Sequence, residues 1–258
     1  MMHIDRRMAA TLIVALAAGI GADRAIASPE GRWRGQLTPY LWMSGLSGTV
    51  RPVPNGPTLD VDKSFRDLLE DLDAAGFVTG LARRDDWVVI GDFSFSRSST
   101  EGRVAPPGAP PGVLLPATAR ERQRSLTALV GRTVAESDEG RWDLLAGLRA
   151  WRVRVAVAVP LAGIDVRANE SIADPVFAAR WHGTFAERWT ATLYGDVGGF
   201  GVDSRLTWQV HATANRAIGP SSHLSFGWRH LAVDWRERGR RLDLALGGPV
   251  VGWTVTFD

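Results

Sequence analysis

This chain of 258 residues has no cysteine and a single lysine, Lys63. Without cysteine there are no disulfides, no thiolate metal sites and no lipid-modified N-terminal cysteine. The absence also suits a chain that crosses an oxidising compartment unfolded. Arginine supplies almost all of the positive charge, and acids nearly cancel it to a formal +2. The high pI therefore reflects arginine in place of lysine. No basic block or aromatic-basic interleaving points to nucleic acid, and no nucleic-acid partner is expected. After residue 27 no apolar run approaches the ~20 residues a membrane helix needs. If the chain enters a membrane, it does so as strands.

The N-terminus has a positive pair, Arg6 and Arg7, then the apolar run AATLIVALAAGIG at 9–21 and an Ala25-Ile26-Ala27 cleavage pattern. These predict a secretory signal peptide over 1–27 and a mature domain over 28–258.

The mature region alternates with period two, which puts one side-chain set on each face of a strand. In 206–215, Leu206, Trp208, Val210, Ala212 and Ala214 alternate with Thr207, Gln209, His211, Thr213 and Asn215. The segments 87–96 and 189–197 alternate in the same way, a little less cleanly. Noisier strands are read at 32–43, 76–84, 121–135, 141–157, 174–184, 222–235 and 241–257. That makes about ten strands, with 8–12 as the range, each near the ~9–11 residues that cross a bilayer at a tilt. Short turns at 84–86, 137–140, 186–187 and 219–220 contrast with longer connections at 44–75, 99–119 and 158–173. Two later connections, near 200–203 and 236–240, are short. Segment 64–75 reads as one amphipathic helix capped by Ser64. The Pro/Gly run in 99–119 reads as an irregular loop. The predicted fold is all-β: a single antiparallel up-and-down transmembrane β-barrel with one short helix in its first long loop.

Alternation alone does not say which face is inside. Three features favour lipid against the apolar face. These are the signal peptide, the tryptophans near strand ends (Trp33, Trp87, Trp142, Trp189, Trp235), and charges of both signs in mid-strand on the polar face. On a lipid face each mid-membrane Arg would cost roughly 2–4 kcal/mol. Asp92, Asp143, Arg149, Arg180, Asp196, Gln209 and Arg229 are therefore expected to form a network inside the lumen.

The run 173–210, with GDVGGFG followed by LTWQ, resembles a family of bacterial outer-membrane β-barrel proteins of uncharacterised function. TPYLWMSGLSGTV at 38–50, DVDKSFRDLLEDLD at 60–73 and DLLAGLRAWR at 143–152 extend that resemblance over most of the mature chain. It implies an outer-membrane location and brings no catalytic residues. The last strand, with Val251, Trp253, Val255 and Phe257 on one face, resembles the signal read by the barrel assembly machinery, although Asp258 follows the terminal aromatic.

Other constellations point to chemistry less well. His230 and Asp234 share a strand face but lie roughly 13 Å apart by rise, and no nucleophile motif accompanies them. His182, His211 and Asp196 would have to converge to hold a metal. The acids Asp60, Asp62, Asp67, Glu70, Asp71 and Asp73 lack the spacing of a calcium loop. Gly195, Gly198, Gly199 and Gly201 precede no helix and suit a bend rather than a phosphate loop. No cofactor, metal site or catalytic residue is expected. The expected partners are outer-membrane lipid and the assembly machinery, with a small solute left open. The leading reading is a narrow pore or a plugged barrel. Its rivals are an enzyme at the outer rim, a surface protein binding through loops 44–75 and 99–119, and a soluble periplasmic barrel.

Overall fold

A computed structural model describes residues 31–51, 54, 56, 58–104 and 114–257. The segment expected to be a signal peptide, 1–27, and the centre of the Pro/Gly run, 105–113, lie outside the described residues.

Ten antiparallel strands close into a barrel. They are β1 (Arg34–Trp42), β4 (Leu72–Arg84), β5 (Trp87–Val104), β6 (Leu115–Ser137), β7 (Gly140–Val159), β8 (Ile164–Ala186), β9 (Trp189–Gly198), β10 (Ser204–Ala217), β11 (Ser222–Glu237) and β12 (Arg240–Phe257). Neighbours in sequence are neighbours in the sheet, and β12 returns to pair with β1, from Gly35↔Phe257 to Trp42↔Val250. The expected up-and-down, ten-stranded closed sheet is the observed one.

Two shorter strands, β2 (Gly45–Arg51) and β3 (Leu59–Lys63), lie in what the sequence suggested was loop. β2 continues the line of β1 along the other half of β12, pairing Gly45↔Gly247 to Arg51↔Arg241, and β3 folds back on β2. The helix is shorter than expected. α1 covers Phe65–Glu70, capped by a reciprocal Ser64–Asp67 box. Hydrogen bonds from Ser64 hold the exposed Asp67 carboxyl below its ordinary range, so the cap is charged at neutral pH. The helix stops there because Leu72 is already paired with Ser98 of β5. Lys63 and Asp71, 2.8 Å apart, tie β3 to the end of α1.

The turns after β4, β6, β8 and β10 lie at one end of the barrel, the turn end. At the other, the loop end, the strands are unequal. β5 to β8 run past the expected loop starts, through 97–104, 115–120 and 164–173, and build a tall wall. β9 stops at Gly198. The GGFG turn that follows takes left-handed conformations at Gly199, Phe200 and Gly201. It ends in a register shift between Ser204 and Leu206, the bend that the glycines suggested. Arg240 on the β11–β12 hairpin reaches over this low rim to pair with Glu170 of β8.

The apolar set of each strand points outward. Exposed outward residues include Phe93, Leu126, Leu144, Phe177, Leu193, Trp208, Trp228 and Trp253. At the turn end, Arg132 lies over Trp87 and Arg216 over Trp189. Trp235 departs from the expected tryptophan girdle. It is buried, with the Arg240 guanidinium over its ring, because odd positions of β11 face inward.

The closing seam carries a tight fit. The Phe257 ring covers Gly35, where an added Cβ would meet Phe257 Cε2 at 2.1 Å. Gly35→Val should displace the ring and weaken the β1–β12 seam by about 1–3 kcal/mol, as overpacking does. Heat-modifiable gel mobility should change at a lower temperature. An unchanged melting point would mean that the ring swings aside freely.

Candidate functional site

A ten-stranded barrel is slightly wider than an eight-stranded one, whose interior side chains just fill. Long side chains are needed to cross it. The inward positions supply arginine, tyrosine and glutamine at two levels, separated by an apolar patch.

The lower cluster lies towards the turn end. Asp143 of β7 is fully buried. It accepts hydrogen bonds from Arg83 of β4 (2.7 Å), Arg180 of β8 (3.2 Å) and Thr133 of β6 (2.9 Å). Arg83 also donates to Thr133. Against it packs the apolar cluster of Val88, Ile90, Leu129, Leu145, Val176 and Ala178, from β5 to β8.

The upper network crosses the lumen. Arg149 of β7 donates to both carboxylate oxygens of Asp196 on β9, at 3.0 and 2.5 Å, and its Nε donates to Thr127 of β6 at 3.1 Å. Asp196 also accepts from Tyr194 Oη (2.7 Å) and Gln209 Nε2 (3.3 Å). Gln209 Oε1 accepts from Arg229 Nε of β11 at 2.9 Å. Arg229 then reaches Asp92 of β5 at 3.3 Å and donates to Tyr40 of β1, and Tyr40 donates to Asp92 at 2.8 Å. The chain of contacts thus joins β7, β9, β10 and β11 to β1 and β5, and two arginines balance two aspartates. The Arg229 guanidinium lies 4.7 Å from the centre of the Trp42 ring, which covers its remaining face.

All seven residues singled out in the sequence point inward, in two clusters rather than one. Asp143 and Arg180 belong to the lower, and Asp92, Arg149, Asp196, Gln209 and Arg229 to the upper. Sequence reasoning missed Tyr40, Arg83, Thr127 and Thr133 as their partners. A signal existed for the tyrosines. The chain has only two, and each follows a threonine at i−2 on a polar face, as Thr38-Tyr40 and Thr192-Tyr194. Also missed was Asp174, fully buried opposite Arg149 in register. Its Oδ1 accepts the Ser204 amide at 2.8 Å and so pins the GGFG turn.

Between the upper network and the turn end lies a cavity of about 120 Å³. Its lining includes Thr38, Thr213, Asn215, Ser225 and Thr254, with His211 among them. His211 Nε2 is buried without a protein partner. Leu81, Ile90, Leu129 and Val250 line the rest of it, and the polar groups on its wall give water in a cavity of this size places to bond.

The remaining constellations stay apart. His230 faces outward against Trp208, ring centres 4.8 Å apart. Asp234 is engaged by Arg205 at 3.5 Å and Arg236 at 3.2 Å. His182 bonds Thr192 at 3.0 Å, and Asp196 is held by Arg149. Asp67 caps the helix, while Glu70, Asp71 and Asp73 bond Arg66, Lys63 and Ser99. Among the described residues no three His, Asp or Glu side chains converge on one point. Val251, Trp253, Val255 and Phe257 lie on the outward face of β12.

No family model matches the chain. No curated protein matches it either. Solved structures similar to it include the translocator domain of the autotransporter NalP of Neisseria meningitidis, at 13% identity and TM-score 0.49, covering 97% of this chain and 95% of that one. Another is the outer membrane protease OmpT of Escherichia coli, at 10% and 0.46, covering 91% and 99%. A third is the β domain of the Bordetella autotransporter BrkA, at 13% and 0.45, covering 88% and 99%. None of these likenesses extends beyond the barrel fold, and none speaks to this chain's role.

Proposed function

We propose that this chain is an outer-membrane β-barrel whose lumen is plugged by its own side chains, and that it works as a structural, surface-presenting barrel rather than as a diffusion pore. The observation that carries this reading is the upper network, which spans the lumen from Arg149 through Asp196, Gln209 and Arg229 to Asp92. Every long polar side chain that could line a channel there is instead bonded to a neighbour.

The membrane part rests on the outward belt. A ring of exposed Trp, Phe and Leu around a polar interior inverts the pattern of a soluble barrel. The stretch Trp87–Phe95 is about the length, ~9–11 residues, that a tilted strand uses to cross. On this reading the turn end faces the periplasm and the tall β5–β8 wall stands outside. The GDVGGFG and LTWQ runs supply the end of β9, its turn, and the Trp208-out, Gln209-in alternation, which is what keeps the family resemblance attractive. The outward row of Val251, Trp253, Val255 and Phe257, placed at the closing seam, supports its reading as the assembly signal.

Vesicle swelling tests the plug. Lipid vesicles containing the folded barrel should swell in a small sugar no faster than empty ones. Swelling that falls off with sugar size would instead show an open pore.

A further inference from the structure

The apolar belt ends sharply on the wall strands. Its last rung there, read across the register, is Phe93↔Leu126↔Ala150↔Ala173. The next outward rung is Phe95↔Arg124↔Arg152↔Ser171, and the one after it Arg97↔Arg122↔Arg154↔Asn169. A third holds Ser99, Arg120, Ala156 and Arg167. Seven arginines thus occupy three successive rungs of one exposed face. Strand and rung spacings put them in a patch of about 14 by 13 Å.

Like charges placed directly opposite across strands destabilise a sheet. Elsewhere on the outer rim the problem is met with acids. Arg205 and Arg236 share Asp234, and Arg241 pairs with Asp243. On the wall only Arg167 has such a partner, Asp165. Among the described residues, none of Arg97, Arg120, Arg122, Arg124, Arg152 and Arg154 lies within 4 Å of a carboxylate. At the turn end, outward arginines lie on tryptophan rings instead. Six unneutralised cations in one patch ask for an external anion.

Their height says which. The ladder begins one rung above the last apolar rung and faces sideways, where the headgroups of surrounding lipid would lie. A soluble polyanion would be met at the tip of the wall. Arginine's planar fork suits phosphate oxygens, each gripped by two parallel hydrogen bonds. We propose that this ladder on β5, β6 and β7 binds the phosphate groups of outer-leaflet lipid headgroups. This rests on the outer-membrane reading given above.

The test uses the folded barrel in neutral detergent, with bound lipid counted by native mass spectrometry. Phosphatidic acid is the probe and phosphatidylcholine of the same chain length its comparison. The unaltered chain should retain phosphatidic acid selectively, and less so as salt rises, because exposed charges are screened. The variant Arg122→Gln/Arg124→Gln/Arg152→Gln/Arg154→Gln should retain it at least about tenfold more weakly, the equivalent of one charge-assisted hydrogen bond. Arg236→Gln, on the acid-paired rim, should change nothing. Equal retention by the fourfold variant would overturn the proposal. So would inorganic phosphate or dextran sulfate competing as strongly as the lipid in micelles, which would assign the patch to soluble anions. Failure of all variants and the unaltered chain alike to insert into neutral vesicles would contradict the membrane reading itself.

Discussion

Asp196→Ala should destabilise the folded barrel by about 3–5 kcal/mol, the effect of removing one partner from a buried ion pair. Four donors meet on this carboxylate: two from Arg149, one from Tyr194 and one from Gln209. Without it the Arg149 guanidinium, 1% exposed, keeps only Thr127 as a direct partner. Asp174 stands opposite in register; its Oδ1 holds the Ser204 amide, but its Oδ2 is buried without a partner and could take up part of the lost pairing, which puts the expected loss at the lower end of that range. An uncompensated charge in a closed interior is what makes the loss large. The pair is expected to add less than its breakage suggests. Taking the two charges out of water opposes their attraction, so Arg149→Met/Asp196→Leu together should recover much of the loss. Equilibrium urea unfolding in lipid vesicles, followed by tryptophan fluorescence, measures both. A loss under about 1 kcal/mol for Asp196→Ala would mean that water reaches Arg149.

Leu193→Arg should cost roughly 2–4 kcal/mol for the opposite reason. Leu193 lies midway along β9, flanked on its face by Trp181 and Ala212 on the adjacent strands, and points outward. On the outer-membrane reading a guanidinium there enters hydrocarbon with no acid in reach. On a soluble barrel the same change, at a half-exposed site, would fall within about ±0.5 kcal/mol. Unfolding in vesicles therefore separates a membrane barrel from a water-soluble one with a single side chain.

Much of the fold was legible because the membrane reading and the closed interior impose one rule on every residue of a crossing segment. The alternation of β10 from Leu206 to Asn215, with the same rule in β5 and β9, marks both the strands and the two faces. Where water lies on both sides the rule lapses. Arg97, Ser98, Ser99, Thr100 and Glu101 are polar on both faces, and 99–104 of β5, 115–119 of β6 and 164–173 of β8 were read as loop, while β7 was read as strand nearly to its end. β2 and β3 were lost for the same reason, since the register that makes them strands is supplied by β12. The helix was drawn too long because Leu72 fits its apolar stripe, while pairing with Ser98 claims that residue for β4.

The lumen was half legible. Facing follows from alternation, so the seven inward residues could be named. Their partners could not, because they depend on tilt and on the reach of long side chains. Arg229 and Asp92 meet across the barrel over 137 positions of sequence, and Asp143 draws Arg83 and Arg180 from two strands that are not neighbours. The arginine ladder was invisible for a simpler reason. Arg122 and Arg154 stand side by side only once the β6–β7 register is known.

Single-channel recording from the folded chain in a planar bilayer tests the central claim most directly. A plugged lumen predicts silence for the unaltered barrel and the appearance of stepwise openings in Asp92→Ala/Arg229→Ala, which removes the crossing contact while keeping the net charge. Stepwise conductance in the unaltered chain, with selectivity that shifts in Arg229→Ala, would contradict it and make the same residues the wall of a pore.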